Sequence, residues 1–342
     1  MRAWRHGTAF PIALVAVGQH AQSALDPAGP QGDRFIGLWW LSLAISVAVF
    51  VLVVIALLVA ALRRRHEPVA VEPVVAPEPA GERSLGRVVN AAVAVTVVLL
   101  FVWLVASVRT GRAYTSLRAA GSARAPVEVT ITGHQWWWEI EYPDTNPSLR
   151  VTTANELHVP VGRPVVLKMT STDVIHSFWA PNLGGKRDLI PGHVTTMWFQ
   201  ADTPGVYRAQ CAEFCGYQHA HMALMVVAEP AGRFRAWLAA QRQPAAPPTD
   251  SLRARGERVF LGADCTLCHS IAGTPAGGRQ GPDLTHVGSR LTLAAGTLPN
   301  TRRNLAGWIV DPQSTKPGSL MPQNPLGSED LQALISYLEG LR

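Results

Sequence analysis

The sequence predicts a multidomain membrane protein with a transmembrane hairpin of two helices, an all-β sandwich and a small all-α domain. Two long stretches near the N-terminus carry no charge. The middle of the chain alternates short β-branched and aromatic runs with turn residues, and the part after residue 250 changes to helical patterning. All four cysteines fall in two short runs, CAEFC at Cys211 to Cys215 and CTLCH at Cys265 to His269, so sulfur in this chain serves chemistry.

The hairpin rests on residues 35–62 and 88–108, FIGLWWLSLAISVAVFVLVVIALLVAAL and VVNAAVAVTVVLLFVWLVASV. Each is long enough to cross a hydrocarbon core of ~30 Å as a helix. The core helix of a soluble protein is the competing explanation, and charge-free runs of this length argue against it. Trp39 and Trp40 lie near one end of the first span, where interfacial indoles are favoured. Between the spans stand Arg63, Arg64, Arg65, Arg83 and Arg87, and basic loops are retained in the cytoplasm. Asp33 and Arg34 nearly cancel before the first span, while Arg109, Arg112 and Arg118 follow the second, so the asymmetry is modest. The hairpin occupies residues 24–108 on this reading, with a linker at 109–124 and everything beyond on the outer face. At the start, Arg2 and Arg5 precede an apolar run broken by Pro11, and Ala21, Gln22 and Ser23 fit a small-residue cleavage site. Residues 1–23 are therefore expected to be a signal peptide. The net charge of +6 comes from scattered arginines, many flanking the spans. No basic helix with interleaved aromatics exists, which excludes a nucleic-acid partner.

Residues 125–242 form the second part. VEVTITGHQWWWEIEYP, LRVTTANELHVPVGRPVVLKMTS, HVTTMWFQADTPGVYRAQ and HMALMVVAEP are short strand-like runs punctuated by Pro, Gly, Asn and Asp. That pattern reads as a β-sandwich, closed by a short helix at 234–243. QPAAPPTD, at 243–250, is a proline-rich linker, stiff and extended. Residues 251–342 end in LQALISYLEGL, whose apolar side chains recur at helical spacing.

In this last part Cys265, Cys268 and His269 spell C-x-x-C-H, the attachment motif of a covalent haem c. Two thiols at that spacing can each add across a haem vinyl group while the following imidazole meets the iron. Met321, in PGSLMPQ, is the only methionine after the linker. A thioether there raises the reduction potential and suits electron transfer. His286 is the rival sixth ligand, in GPDLTHVGSR. A redox disulfide would want a βαβ context, and a zinc site a second pair of ligands; neither is present. The arrangement resembles a small monohaem cytochrome c.

The other run poses a harder question. Cys211, Cys215, His219 and Met222 mix thiolate, imidazole and thioether donors, a set that selects copper. A mononuclear blue-copper site uses one thiolate, so a second is one too many. Two could bridge two copper ions, each needing an imidazole, and His176 is available between strand-like runs. A structural disulfide or a Cys2His2 zinc site competes, but neither uses Met222, Glu213 and His176 together.

CAEFCGYQHAHM resembles the binuclear CuA motif C-x-E-x-C-G-x-x-H-x-x-M of subunit II of cytochrome c oxidase. DVIHSFWAPNLGGKRDLIPG is similar to that family's first-histidine segment, GHQWWWEIEYP to its aromatic stretch and SALDPAGP to its mature N-terminus. The resemblance runs over residues 23–230, and with the haem motif the chain resembles the variant carrying a fused cytochrome c. It implies a cupredoxin-like sandwich with Cys211 and Cys215 as bridging thiolates and His176 and His219 as terminal imidazoles. Met222 is then the thioether donor, and Glu213 lends its backbone carbonyl. The family also uses that glutamate's side chain for a magnesium ion shared with subunit I, and Trp136 matches the position where electrons enter. Implied partners are subunit I and the other oxidase subunits, a soluble or membrane cytochrome c or another upstream electron donor, and the lipid bilayer. The implied location is a bacterial-type plasma membrane, with both redox domains on the periplasmic face. The implied activity is that of a proton-translocating cytochrome c oxidase whose oxygen-reducing site, and hence any catalytic residue, lies outside this chain. A copper-delivery protein would have no use for Met222, Glu213 or a covalent haem. Nitrous oxide reduction would need a histidine-rich domain that the sequence lacks, and a quinol-oxidase subunit would lack the copper ligands. Two departures stand out. The second span lacks the family's glutamate and Trp-Thr pair, Glu82 coming too early, and His193 follows Pro191 and Gly192 where the family usually has arginine.

Overall fold

The computed structural model describes residues 19–20, 22–63, 79–121 and 125–342. Most of the expected signal peptide and most of the inter-span loop lie outside the described residues. Residues 19–20 form β1, Gln19–His20, which pairs with a strand of the sandwich. Gln22 also reaches that strand, donating to the Arg208 carbonyl.

Helix α1 spans Pro30–Arg63 and α2 spans Pro79–Gly121. Pro30 starts α1 with its φ already helical. Asp33 in the first turn and Arg63 in the last complement the helix dipole. At 34 residues α1 is roughly 50 Å long, well beyond a bilayer's hydrocarbon core. Both helices turn apolar side chains outward, Phe50 being 69% exposed, a surface that only lipid or another apolar partner would cover. The Trp103 indole donates to Ser42 Oγ at 2.8 Å and ties the helices together. The stretch 109–121, expected as linker, is instead a continuation of α2. Its arginines, alanines and leucine sustain a helix, and Gly111 alone does not end it.

The sandwich comprises β2 (Val127–His134), β3 (Trp137–Tyr142), β4 (Val151–Ala154), β5 (Glu156–Pro160), β6 (Val165–Ser171), β7 (His176–Trp179), β8 (Lys186–Leu189), β9 (Thr195–Phe199), β10 (Gly205–Cys211) and β11 (Ala223–Glu229). One sheet orders its strands β4-β3-β2-β6-β9; the other orders them β5-β11-β10-β7-β8, with β1 beside β10. Alternation drives the packing: Val127, Val129 and Ile131 face inward along β2, and Trp138, Ile140 and Tyr142 do so along β3. Trp138, Phe178, Phe199, Leu167 and Leu189 fill the space between the sheets. Asn155 turns the chain between β4 and β5 at φ 61°, and its side-chain oxygen accepts from the Trp138 amide. Helix α3, Ala231–Gln241, closes the sandwich, beginning three residues before the predicted helix.

The last part packs α4 (Ser251–Gly262), α5 (Cys265–Cys268), α6 (Arg302–Val310), α7 (Pro312–Thr315) and α8 (Ser328–Gly340) around Phe260, Leu305, Leu334 and Tyr337. Asp250 caps α4 by accepting from the Arg253 amide at 2.8 Å. Gly256 lets α4 and α8 cross closely, since a Cβ there would sit 2.1 Å from the Ala333 carbonyl oxygen. The linker before α4 is held along this domain, the Ala245 amide donating to Ala272 O at 2.9 Å.

Candidate metal centre and haem site

Strand β7 delivers His176, β10 ends on Cys211, and the loop 212–222 returns to β11. The register of β7 beside β10 pairs Phe178 with Cys211 and brings the two segments together. His176 Nδ1 lies 3.9 Å from Cys211 Sγ, and the two sulfurs lie 3.8 Å apart. His219 Nδ1 is 3.6 Å and Met222 Sδ 3.9 Å from Cys215 Sγ. The Glu213 carbonyl oxygen is 3.2 Å from Cys211 Sγ, while the Glu213 side chain is exposed. His176, Cys211, Cys215 and Met222 are all buried. The structure thus brings together all six residues that the sequence singled out here. At 3.8 Å the two sulfurs are not joined as a disulfide in this structure. His221 hydrogen-bonds Gln218 and is exposed.

The surroundings orient these donors. His176 Nε2 is 2.8 Å from Asp173 Oδ1, which leaves Nδ1 facing the sulfurs. Burial works against charge on Asp173, but hydrogen bonds from His176 and from the Val174 and Gln135 amides outweigh it and hold its carboxyl below the usual range. Gly133 is needed beneath the ring, since a Cβ there would come 2.8 Å from His176 Cδ2. The Cys215 carbonyl accepts from Gln135 Nε2 at 2.7 Å and from the Trp136 indole at 2.9 Å. The contact between the two sulfurs lowers the Cys211 pKa and raises that of Cys215. Such a paired, soft donor set suits copper. Asp173 and Gly133 were missed as functional residues, although a carboxylate three positions before a candidate ligand histidine is a usable signal.

In the helical domain α5 presents Cys265 and Cys268, both free, with His269 just after it. The His269 Nδ1–H donates to the Pro282 carbonyl at 2.7 Å, leaving Nε2 for a metal. Burial lowers the His269 pKa, which favours the neutral, ligating form. Gly278 and Gly281 keep this cradle open: a Cβ at Gly281 would be 2.7 Å from the imidazole, and one at Gly278 2.6 Å from the Leu267 carbonyl. Free thiols, a neutral imidazole and this clearance fit a covalent haem. Met321 is half-buried in the loop before α8, its carbonyl accepting from Gln313 Nε2. His286 is buried, and its ring interacts with the Ala240 backbone of α3.

The two domains touch. The Ala223 amide donates to Ala295 O at 2.9 Å, and Gln218 Nε2 to Pro317 O at 2.8 Å. The Leu291 amide donates to Glu156 Oε2 at 2.8 Å. Lys316 Nζ donates to Trp136 O at 2.7 Å. Trp136 is thereby buried, at 8% exposure. Burial draws the Lys316 ammonium down to about 7, opposed by Cys215.

The hairpin, the soft-donor sandwich and the C-x-x-C-H domain together define a membrane-anchored redox subunit. Residues 146–229 match the family described as cytochrome c oxidase subunit II, periplasmic domain, and residues 253–342 match cytochrome c. A cytochrome c oxidase subunit 2 of Alkalihalophilus pseudofirmus is 32% identical over 100% of this chain and 99% of its own length. One from Bacillus subtilis is 28% identical over 97% and 95%. The crystal structure of the periplasmic domain of subunit II of cytochrome oxidase of Bradyrhizobium japonicum is 30% identical, covering 35% of this chain and 95% of that one at a TM-score of 0.33. This chain belongs to the cytochrome c oxidase subunit II family, in the form that carries a cytochrome c domain. Membership makes it part of a haem–copper terminal oxidase associated with other oxidase subunits, and implies CuA copper in the sandwich and haem in the helical domain.

Proposed function

We propose that electrons enter a respiratory cytochrome c oxidase through this chain, passing from haem c to a binuclear CuA centre and on to haem in subunit I, where oxygen is reduced to water with proton translocation. When bound, the two groups supply reversible one-electron oxidation and reduction. Cys211, Cys215, His176, His219, Met222 and the Glu213 carbonyl would hold the copper. Asp173 fixes the His176 tautomer, and burial keeps water from the sulfurs. Cys265 and Cys268 would anchor the haem, and His269 and Met321 would hold its iron. The exposed Glu213 carboxylate is free to share a magnesium ion with subunit I. The upstream donor is a soluble or membrane cytochrome c or a comparable carrier. The sandwich and helical domain lie on the periplasmic face of a bacterial plasma membrane.

The observation that supports this reading most is the convergence of thiolate, imidazole and thioether donors from β7, β10 and the loop 212–222, within 3.9 Å of one another in a chain of contacts. The test is to purify the membrane complex and measure copper, covalent haem and the copper spectrum together. Two coppers at this centre with a mixed-valence signal are expected; a single copper, or zinc, would sink the assignment.

A further inference from the structure

Lys316 is a costly residue to place where it stands. The residue is 3% exposed, and a buried ammonium loses its hydration. No carboxylate lies at ion-pair distance among the described residues. Its partners are two carbonyl oxygens, Trp136 O at 2.7 Å and Ala294 O at 3.3 Å. Ala294 belongs to its own domain and Trp136 to the sandwich, so the ammonium bridges the domains. The neighbouring backbone follows it: Pro317 accepts from Gln218, and a Cβ at Gly318, φ +84°, would come 3.9 Å from Trp136 Cη2. Trp136 in turn donates its indole N–H to the Cys215 carbonyl. One short run of contacts therefore joins the loop that carries Met321 to the loop that carries Cys215.

We propose that Lys316 is a positioning residue for transfer between the two domains, its ammonium pinning the Met321 loop onto Trp136 and so setting the separation of the haem and copper sites. This rests on the reading above. Electron tunnelling falls steeply with separation, so a small retreat of the loop is felt in rate before it is felt in fold. A residue serving only the helical domain would have satisfied its donors within that domain.

The test uses the assembled oxidase. Lys316→Met keeps the length of the side chain and removes the charge and the donors; Lys316→Gln keeps one N–H donor on a shorter stem. Rapid reduction of haem c followed by the appearance of reduced copper reads the internal step. The Met variant is expected to slow that step several-fold, and the Gln variant to fall between. The haem c midpoint potential, the thioether-to-ferric band and reduction by an external reductant should not move. A wild-type internal rate in a variant that keeps both spectra would overturn the proposal. Loss of haem in both variants would overturn it too, assigning Lys316 to the folding of the helical domain. Absence of a dicopper spectrum in the unmodified complex would instead remove the reading on which the proposal rests.

Discussion

The copper loop and the haem motif are assembled in opposite ways. In the sandwich, His176 stands 35 residues before Cys211 and meets it only because β7 and β10 are neighbours. In the helical domain, Cys265, Cys268 and His269 lie within one turn and the residue after it. The dispersed site therefore needs a surrounding scaffold: Asp173 on His176, Gln135 and Trp136 on the Cys215 carbonyl, and Gly133 under the ring. The contiguous site needs little beyond clearance at Gly278 and Gly281 and the Pro282 carbonyl. A site built from distant segments depends on its neighbours' precision; one built from a local run depends on covalent attachment.

The sharpest way to break this contrast is to remove one sulfur. Cys215→Ser should abolish copper binding at the centre and leave covalent haem in place, because Cys265, Cys268 and His269 lie in another domain. Metal analysis and the haem spectrum of the same preparation decide it; joint loss of copper and haem would show the sites to be interdependent. Next in size is Asp173→Asn, which keeps the shape but weakens the hold on His176. Copper affinity should fall by about 10–100-fold, the usual effect of losing such an outer partner, with no change in the haem. Competition against a chelator measures this, and wild-type affinity would mean the dispersed site needs less support than its hydrogen bonds suggest.

Met321→His probes the contiguous site from its one distant member. Covalent haem should survive, while its potential drops by more than about 59 mV, over tenfold in a one-electron equilibrium. An unmoved midpoint in a redox titration would mean that Met321 does not bind the iron and would return attention to His286.

The smallest effect concerns the seam between the regions. His158 bridges Glu156 and Glu229, at 2.9 Å and 3.1 Å, and stacks on Trp237. Burial works against its charge, but the two carboxylates outweigh it and raise its pKa above the ordinary 6.5. Its stabilisation is therefore full below pH 6.5 and lost as pH rises through the raised folded value. Glu229→Gln should cost on the order of 1.5–3 kcal/mol in acid, the worth of a hydrogen bond to a charged group. The gap to wild type should narrow as the solution becomes alkaline. Thermal midpoints of both proteins across that range test it, and a gap independent of pH would mean the imidazole does not titrate in this way.

Much of the architecture was legible because its signals are local. The charge-free runs announce the spans, alternation announces β2 and β3, and the C-x-x-C-H spacing needs no tertiary context. Even the copper loop was readable, since four of its donors lie within twelve residues. The extension of α2 to Gly121 was not, because helix ends depend on weak propensities. The role of Asp173 had only its place three residues before His176 as a signal, a weak one because an acid in a turn has many uses.

The amino-acid order alone therefore determined the kinds of domain, the membrane hairpin and the identity of the candidate ligands, since hydropathy, periodicity and donor spacing are properties of short segments. Only the tertiary structure decided that Trp136 is covered and that Lys316 reaches its carbonyl across 180 residues of chain. It also decided that the donors of His176 and Cys211 face one another. Those outcomes depend on strand register and domain docking, where burial energy summed over many distant contacts fixes positions that no local pattern encodes.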